Sequence, residues 1–469
     1  MIRLDERDWI YGRGLGEGWR AVSDARRKAT AGRLRAAAAG FAKRAPRLSE
    51  RAALAAGSAA LAREAAGDAA LLDAPALDYW LYLWETQFGE ASPAEAWDLQ
   101  FRLIQPLAAL RRARLGRAGS FPAAVDADGH LHFYGTSAYL ELPAGWAGRP
   151  ITVESSRRGL RARADGKASA WLPLDRLSGR SAADESAGVG RLKRPPSPGD
   201  GIGVQFCGPL MVHGVIMHGL AKPSPAEAQK FSDSLSTALA HLAERDAGLS
   251  AEMREMVSVL IPLVNPQDHG SVSSSYVNLR GAICLSHSDD ALLQAETLIH
   301  EFCHQKMNQL LAVEALLEPG QGGQVFYSPW RGDARRLRGL LLGAHAFLNV
   351  ARYLIVSLSR ERYPLQRRVS IMTNAARRLF EVRDAMQTIS GYAQLTEFGR
   401  RFALGMNREL TELFHAAQWF PSKIVDDARD RAAAHRRKHA LPDLGFHKAE
   451  GFARRVKLFE TGDPKKGAA

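Results

Sequence analysis

Two histidines one helical turn apart are the residues of this sequence best suited to chemistry. His300 and His304 belong to the pattern His300-Glu301-Phe302-Cys303-His304. A helix advances about 3.6 residues per turn, so side chains at i and i+4 project from one face and can bind one metal ion. Glu301 would act either as a general base toward metal-bound water or as a carboxylate that orients the site. The motif therefore predicts a metalloenzyme.

The segment around this motif is predicted to be one continuous helix. Residues 291–311 contain neither Pro nor Gly and carry apolar residues at helical spacing. The preceding residues Ser288-Asp289-Asp290 have side chains of the kind that cap helix N-termini. Immediately upstream, Gly281 to Ser286 predict a short strand. Zinc peptidases place such a strand beside the motif helix and hold an extended peptide on it by strand addition.

A catalytic metal needs a third protein ligand, and the sequence leaves its identity open. The residues just after His304 contain no further histidine, so the ligand must come from another segment. We expect His345, because residues 338–358 are nearly all apolar while His345, Asn349 and Arg352 fall on one helical face. A core histidine without a metal is the alternative for His345. The competing carboxylates are Asp333, Glu318 and Glu314.

The segment between these two predicted helices offers a cation for an anionic ligand. Arg331 follows Pro329 and Trp330, which restrict the backbone before it. Its planar guanidinium can hold a carboxylate through two parallel hydrogen bonds. A surface arginine in a loop is the alternative for Arg331. The reserves for the same role are Arg335 and Arg338.

These residues resemble a family of bacterial enzymes, the 2-oxoglutarate-dependent peptide β-hydroxylases that carry a His-Glu-x-x-His motif and act on ribosomally made peptide precursors. The resemblance covers residues 271–358, and the aromatic-Pro-Trp-Arg segment ending at Arg331 is its specific part. It implies a non-haem Fe(II), 2-oxoglutarate as cosubstrate, and hydroxylation of the β-carbon of a residue in a precursor peptide. Arg331 or Arg338 would then hold the distal carboxylate of 2-oxoglutarate. The familiar non-haem iron triad has a carboxylate where His345 would stand.

Two other functions fit the same motif. A zinc metallopeptidase would use Glu301 as its general base. A peptide-binding partner protein would use the metal only to stabilise its fold. The substrate peptide, the modified residue and the oligomeric state are open at this point.

The whole chain predicts an α+β protein, mostly α, with a zincin-like metal-binding helical core and a small strand region. The change between helical and strand-like residue patterns divides the 469 residues into consecutive parts. These are a helical N-terminal region 1–123, a short-strand region 124–210 with an exposed linker near 178–201, a catalytic domain 211–460 and a flexible tail 461–469.

Composition excludes several classes of protein. The three cysteines, Cys207, Cys284 and Cys303, are odd in number and far apart, which argues against disulfides and against a cysteine zinc cluster. The net charge of +13 is spread along the chain, so it predicts a mild attraction for an acidic peptide and no nucleic-acid partner. The most apolar stretch, 337–358, is interrupted by ionisable residues, which predicts a buried helix and no membrane partner. The first residues lack the pattern of an export signal, so we expect a cytoplasmic protein.

Overall fold

The computed structural model describes most of the chain, and the account below concerns only these residues: 7–10, 17–44, 59–63, 68–86, 94–126, 128–133, 136, 138–178, 182–199, 202–204, 223–265 and 271–439. The predicted tail 461–469 and Cys207 lie outside them. Within them the protein is mostly helical with small sheets, which confirms the α+β, mostly α class.

The helices are numbered in chain order. They are α1 (Arg7–Ile10), α2 (Glu17–Arg44), α3 (Ala69–Leu72), α4 (Pro75–Thr86), α5 (Ala94–Arg114), α6 (Leu174–Ser178), α7 (Pro225–Arg245), α8 (Ala247–Met256), α9 (Ala291–Leu311), α10 (Leu337–Arg360), α11 (Leu365–Tyr392), α12 (Glu397–Ala416) and α13 (Ser422–His439).

The strands are short. They are β1 (Gly119–Ala124), β2 (His130–His132), β3 (Tyr139–Glu141), β4 (Pro150–Ser156), β5 (Gly159–Ala164), β6 (Lys167–Ala168), β7 (Ala183–Ala187), β8 (Gly190–Arg194), β9 (Gly203–Val204), β10 (Val259–Leu263), β11 (Ser273–Ser274), β12 (Ala282–Ser286), β13 (Val325–Phe326) and β14 (Arg335–Arg336).

The chain forms two compact units, each assembled from separate segments. The first unit, which we call the motif unit, contains residues 1–22, 237–253 and 290–469, and the second, the sheet unit, contains residues 23–236 and 254–289. The division predicted from the sequence follows element type along the chain, whereas these units follow contacts between distant segments. The predicted boundaries stay a prediction.

Three sheets lie in the sheet unit. The orders are β1-β4-β5-β6, β2-β3-β8-β7 and β11-β12-β10-β9. The first two are antiparallel throughout, while β10 pairs in parallel with both β12 and β9. Every residue of β10 and β12 is buried, as expected for parallel strands covered on both faces. The strand predicted at Gly281 to Ser286 is therefore confirmed.

The prediction of an exposed linker near 178–201 is wrong for much of that stretch. Residues 183–187 and 190–194 form the antiparallel pair β7 and β8, joined through a turn in which Gly188 has a φ of +74°. The alternation of polar residues with single apolar ones, such as Leu192 between Arg191 and Lys193, is the signature of a half-buried strand that the high polarity concealed.

The motif unit is built around α10. This helix packs against α9, α11 and α12. It is also the described helix that is long and apolar enough to cross a membrane, with a mean hydropathy of 1.5, and 72% of that window is buried inside the protein. Its burial agrees with the prediction of a core helix for this stretch. The two described cysteines, Cys284 and Cys303, are buried free thiols.

Candidate metal centre

The motif helix forms as the sequence predicts. Helix α9 begins after Asp290, whose carboxylate accepts hydrogen bonds from the backbone N–H groups of Leu292 and Leu293 at 3.0 and 3.2 Å. This cap satisfies two of the N–H groups that a helix leaves without partners at its start. The helix then runs unbroken to Leu311, so the motif lies in its middle, where the backbone is fixed by hydrogen bonds on both sides.

His300 and His304 present the same nitrogen to a common point. Their Nε2 atoms lie 3.0 Å apart, and the two ring planes are nearly perpendicular at 89°. Both residues are half-buried, and side chains of α9, α10 and α11 surround them in a region that we call the cleft. The Nδ1 atom of His300 is buried and has no hydrogen-bond partner among the described residues. The arrangement is a two-nitrogen grip of the size that one metal ion requires.

Electrostatics keep both imidazoles neutral. Burial lowers the pKa of His300 well below its usual value, and the proximity of His304 and of the Arg378 cation lowers it further. Burial also lowers the pKa of His304, while the charge of Glu301 opposes that effect. Neutral imidazole is the form that binds metals.

Glu301 is nearly inaccessible, with 4% of its surface exposed. It follows His300 on the same helix and lies close enough to His304 to affect its pKa. The neighbouring Cys303 is fully buried, and burial raises the pKa of its thiol to about 12. Cys303 therefore stays protonated at neutral pH and packs as an apolar residue.

Aromatic side chains form one wall of the cleft. The ring of Phe347 on α10 lies 4.6 Å from that of His300, and Trp330 lies 5.3 Å from Phe347. Trp330 reaches this position because Gly343 on α10 has no side chain, since a Cβ there would stand 2.2 Å from Cζ2 of the indole. The Pro-Trp pair of the predicted cosubstrate segment thus lies close to the metal motif through Trp330.

A cation that the sequence analysis missed lies beside the pair. The guanidinium carbon of Arg378, on α11, is 3.9 Å from the ring centre of Phe347, a cation–π contact. One terminal nitrogen donates to Glu381 Oε2 at 2.7 Å, while Nε is buried without a hydrogen-bond partner among the described residues. A buried N–H of a permanent cation that lacks a partner among the described residues is a feature that an anionic ligand would satisfy.

A second polar group, Glu296, lies one turn before His300 on the same face of α9. Its Oε2 accepts a hydrogen bond from Nδ2 of Asn374 at 2.7 Å. Burial raises the pKa of Glu296 to about 7, against the opposing charge of Arg378. Near the start of both helices, Arg367 forms an ion pair with Asp290 at 2.5 Å. Long side chains of α11 therefore follow the metal-binding face of α9 from its cap to the histidines.

The predicted third ligand has another partner. His345 is fully buried, and its Nε2 donates to the backbone carbonyl of Trp9 at 2.8 Å. The polar row on α10 exists as predicted, but Asn349 donates to the carbonyl of Ile10 and Arg352 pairs with Asp246 at 2.6 Å. Trp9 and Ile10 end helix α1, where backbone carbonyls lack partners within the helix. His345 and Asn349 therefore cap α1, whereas Arg352 pairs with a carboxylate.

The structure does not bring His345 within metal-ligand reach of the His300 and His304 pair. Among the described residues, one group of three or more His, Cys, Asp or Glu has its ligand atoms within 4.8 Å of one another, and it lies in the sheet unit. The competing carboxylate Asp333 instead bonds Arg331 and Arg335, each at 2.9 Å. Glu314 and Glu318 are not part of such a group either.

The arginines chosen from the sequence lie in other contacts. Arg331 is 58% exposed, and its Nε donates to Asp333. Arg338 donates to the side-chain carbonyl of Asn308 at 3.3 Å. The sequence did contain a signal for Arg378, because Arg367, Asn374 and Arg378 are spaced by seven and four residues and share one face of α11.

Comparison of the chain with known proteins does not assign it to a family. A scan against protein-family models found no match, and a search of curated proteins found none either.

Proposed function

We propose that this chain is an Fe(II)- and 2-oxoglutarate-dependent oxygenase that hydroxylates the β-carbon of a residue in a ribosomally made peptide. The observation that carries the proposal is a pair of histidine nitrogens 3.0 Å apart near the guanidinium of Arg378, whose buried Nε has no hydrogen-bond partner among the described residues. A metal site next to a fixed cation suits an anionic cosubstrate better than it suits water alone. The remaining support is the resemblance described above.

The residues present fit the implied groups in part, because the described residues bring no third His, Cys, Asp or Glu ligand atom to the histidine pair. His300 and His304 would hold the iron through their Nε2 atoms. When bound, Fe(II) would activate O2, the oxidant, which gives one oxygen atom to the peptide and one to succinate, while 2-oxoglutarate supplies two electrons and loses CO2. Arg378 would hold a carboxylate of the cosubstrate, and the Phe347 and Trp330 rings would exclude water from that side. The zincin-like character of the core and a cytoplasmic location belong to the same proposal.

A zinc metallopeptidase is the second candidate, because Glu301 lies buried next to His304 in the position that a general base would occupy. In that enzyme Arg378 would bind the terminal carboxylate of the peptide. The two candidates differ in what they consume, since the oxygenase needs oxygen and 2-oxoglutarate and the peptidase needs only water.

The test supplies anaerobically purified protein with Fe(II), ascorbate, 2-oxoglutarate and a peptide encoded beside the gene, and then admits oxygen. We expect succinate to form and the peptide to gain one oxygen atom. The variants His300→Ala and His304→Ala should lose both activity and metal while keeping the wild-type circular dichroism spectrum. The matched control is His415→Gln, which changes an exposed histidine on α12 and should behave as wild type.

Peptide cleavage supported by Zn²⁺ without succinate would assign the chain to the peptidases. Full metal occupancy in either alanine variant would refute the metal centre itself.

A further inference from the structure

A second group of potential metal ligands lies in the sheet unit, on strand β2 and in the turn before it. Oδ2 of Asp126 is 2.9 Å from Nε2 of His132 and 3.9 Å from Nδ1 of His130. The three ligand atoms all lie within 4.8 Å of one another. Ligands on a single ion at bond lengths of about 2.0 to 2.2 Å are separated by roughly 3 to 3.5 Å, so only a small adjustment is needed.

The local sequence fixes this arrangement. Successive side chains of a strand point to opposite faces, so His130 and His132 share one face with Leu131 between them on the other. Oδ1 of Asp126 accepts hydrogen bonds from the backbone N–H groups of Asp128 and His130 at 3.0 and 2.8 Å. These bonds orient the carboxylate and leave Oδ2 directed at the two imidazoles.

The charges around the group also favour a cation. The imidazole of His132 and the backbone amide of His130 bond the Asp126 carboxylate, and these bonds outweigh burial and lower its pKa. Burial lowers the pKa of His130 despite the attraction of Asp126. The further acids Asp128 and Glu141 lie near enough to act on His130 and add to the negative potential.

A simple Asp–His hydrogen bond does not account for the whole arrangement. The Asp126–His132 pair is complete without His130, yet His130 Nδ1 is buried beside the same oxygen and has no hydrogen-bond partner among the described residues. The ring of Tyr139 packs on both imidazoles, with centroids 4.6 and 5.6 Å away, and restricts their rotation. Among the described residues, the buried Nδ1 of His130 thus lies 3.9 Å from a carboxylate oxygen without a hydrogen-bond partner, where a bound cation would engage both atoms.

We propose that Asp126, His130 and His132 bind a divalent transition-metal ion, with Zn²⁺ as the representative, through one carboxylate oxygen and two imidazole nitrogens. Three protein ligands leave a fourth position of a tetrahedral ion open to water or a small anion. The ion joins the turn at Asp126 to strand β2 and stabilises the sheet unit. These three residues all lie in the sheet unit, so the test must exclude metal bound by His300 and His304.

The experiment uses the full chain carrying His300→Ala and His304→Ala, stripped with a chelator and titrated with Zn²⁺ by calorimetry. We expect one equivalent to bind. Adding His130→Gln should weaken that binding by at least about 10- to 100-fold, the loss typical of disturbing even the surroundings of a metal ligand. His130 is 17% exposed, so this variant should fold, and circular dichroism checks that it does.

The matched control is His287→Gln in the same background, because His287 bonds Asp289 at 2.9 Å in a separate Asp–His pair of the sheet unit. This variant should bind Zn²⁺ as its parent does. No binding in the parent, or unchanged affinity after His130→Gln, would overturn the second site. Neither result bears on the His300 and His304 centre, which is deleted throughout.

Discussion

The replacement Glu296→Gln tests the electrostatics of the cleft without touching a proposed metal ligand. Glutamine has the shape of a protonated glutamic acid and keeps an oxygen to accept the hydrogen bond from Asn374. Burial raises the pKa of Glu296 from 4.5 to about 7, so between these values the folded chain holds a proton that the unfolded chain releases. The wild-type protein therefore loses stability as the pH rises through this window, whereas the variant does not.

The size of the effect follows from the two pKa values. A tenfold change in proton affinity is worth about 1.4 kcal/mol, so a pKa raised from 4.5 to about 7 corresponds to roughly 3 kcal/mol above pH 7. The variant should thus be more stable than the wild type by up to roughly 3 kcal/mol near pH 8, and by less than about 1 kcal/mol near pH 5.

Hydrogen exchange of the metal-free protein measures the stability difference between Glu296→Gln and the wild type at individual amides of α9. The slowest-exchanging amides of α9 should exchange up to about 100-fold more slowly in Glu296→Gln than in the wild type near pH 8, and at similar rates near pH 5. Comparing the two proteins at one pH cancels the intrinsic chemistry of exchange. Glu412→Gln, at an exposed carboxyl of α12, is the control and should show no such dependence. A ratio for Glu296→Gln that is the same at both pH values would refute the raised pKa.

Two further predictions concern the walls of the cleft. Arg378→Lys should raise the 2-oxoglutarate concentration needed for half-maximal succinate formation by roughly tenfold or more, since a charge-assisted hydrogen bond contributes about 1.5 to 3 kcal/mol. Arg331→Lys, which changes the exposed arginine paired with Asp333, should leave that 2-oxoglutarate concentration unchanged. If instead Arg331→Lys raises it and Arg378→Lys does not, Arg331 is the residue that binds the cosubstrate. Gly343→Ala should lower stability by about 1 to 3 kcal/mol and weaken metal retention, because the new Cβ displaces Trp330 from Phe347. Gly339→Ala, where the atom nearest to the new Cβ is 3.8 Å away, should lower neither stability nor metal retention. Thermal unfolding and metal analysis of both variants measure these two effects.

The sequence predicts those parts of the fold that depend only on residues close to one another in the chain. The strand at Gly281 to Ser286, the cap at Asp290 and the uninterrupted helix after it are set by residues within a few positions of one another. The two histidines follow from that helix alone, because i and i+4 share a face wherever the backbone is helical.

The residues that surround the pair come from segments whose placement no local pattern fixes. The one-faced polar row of α10 forms as predicted, and the sequence favoured a metal ion as the partner of His345. From the sequence alone, both a metal ion and backbone carbonyls are suitable partners for these polar side chains. In the structure His345 bonds the carbonyl of Trp9, which is 336 positions away in the chain. Polar side chains in an apolar helix thus predict that something polar meets them, and only the packing decides what it is.

The same argument explains why Arg331 was chosen and Arg378 was missed. Proximity in sequence to the motif favoured Arg331, but the short β13–β14 pair lets Asp333 bond two arginines within its own loop. Arg378 lies 74 positions after His304 and reaches the cleft only because α11 packs on α10. There it rests on the Phe347 ring, which itself lies against His300. A cation for such a cleft is therefore better sought on the helix that shares a packing partner with the motif helix than in the loop that follows it.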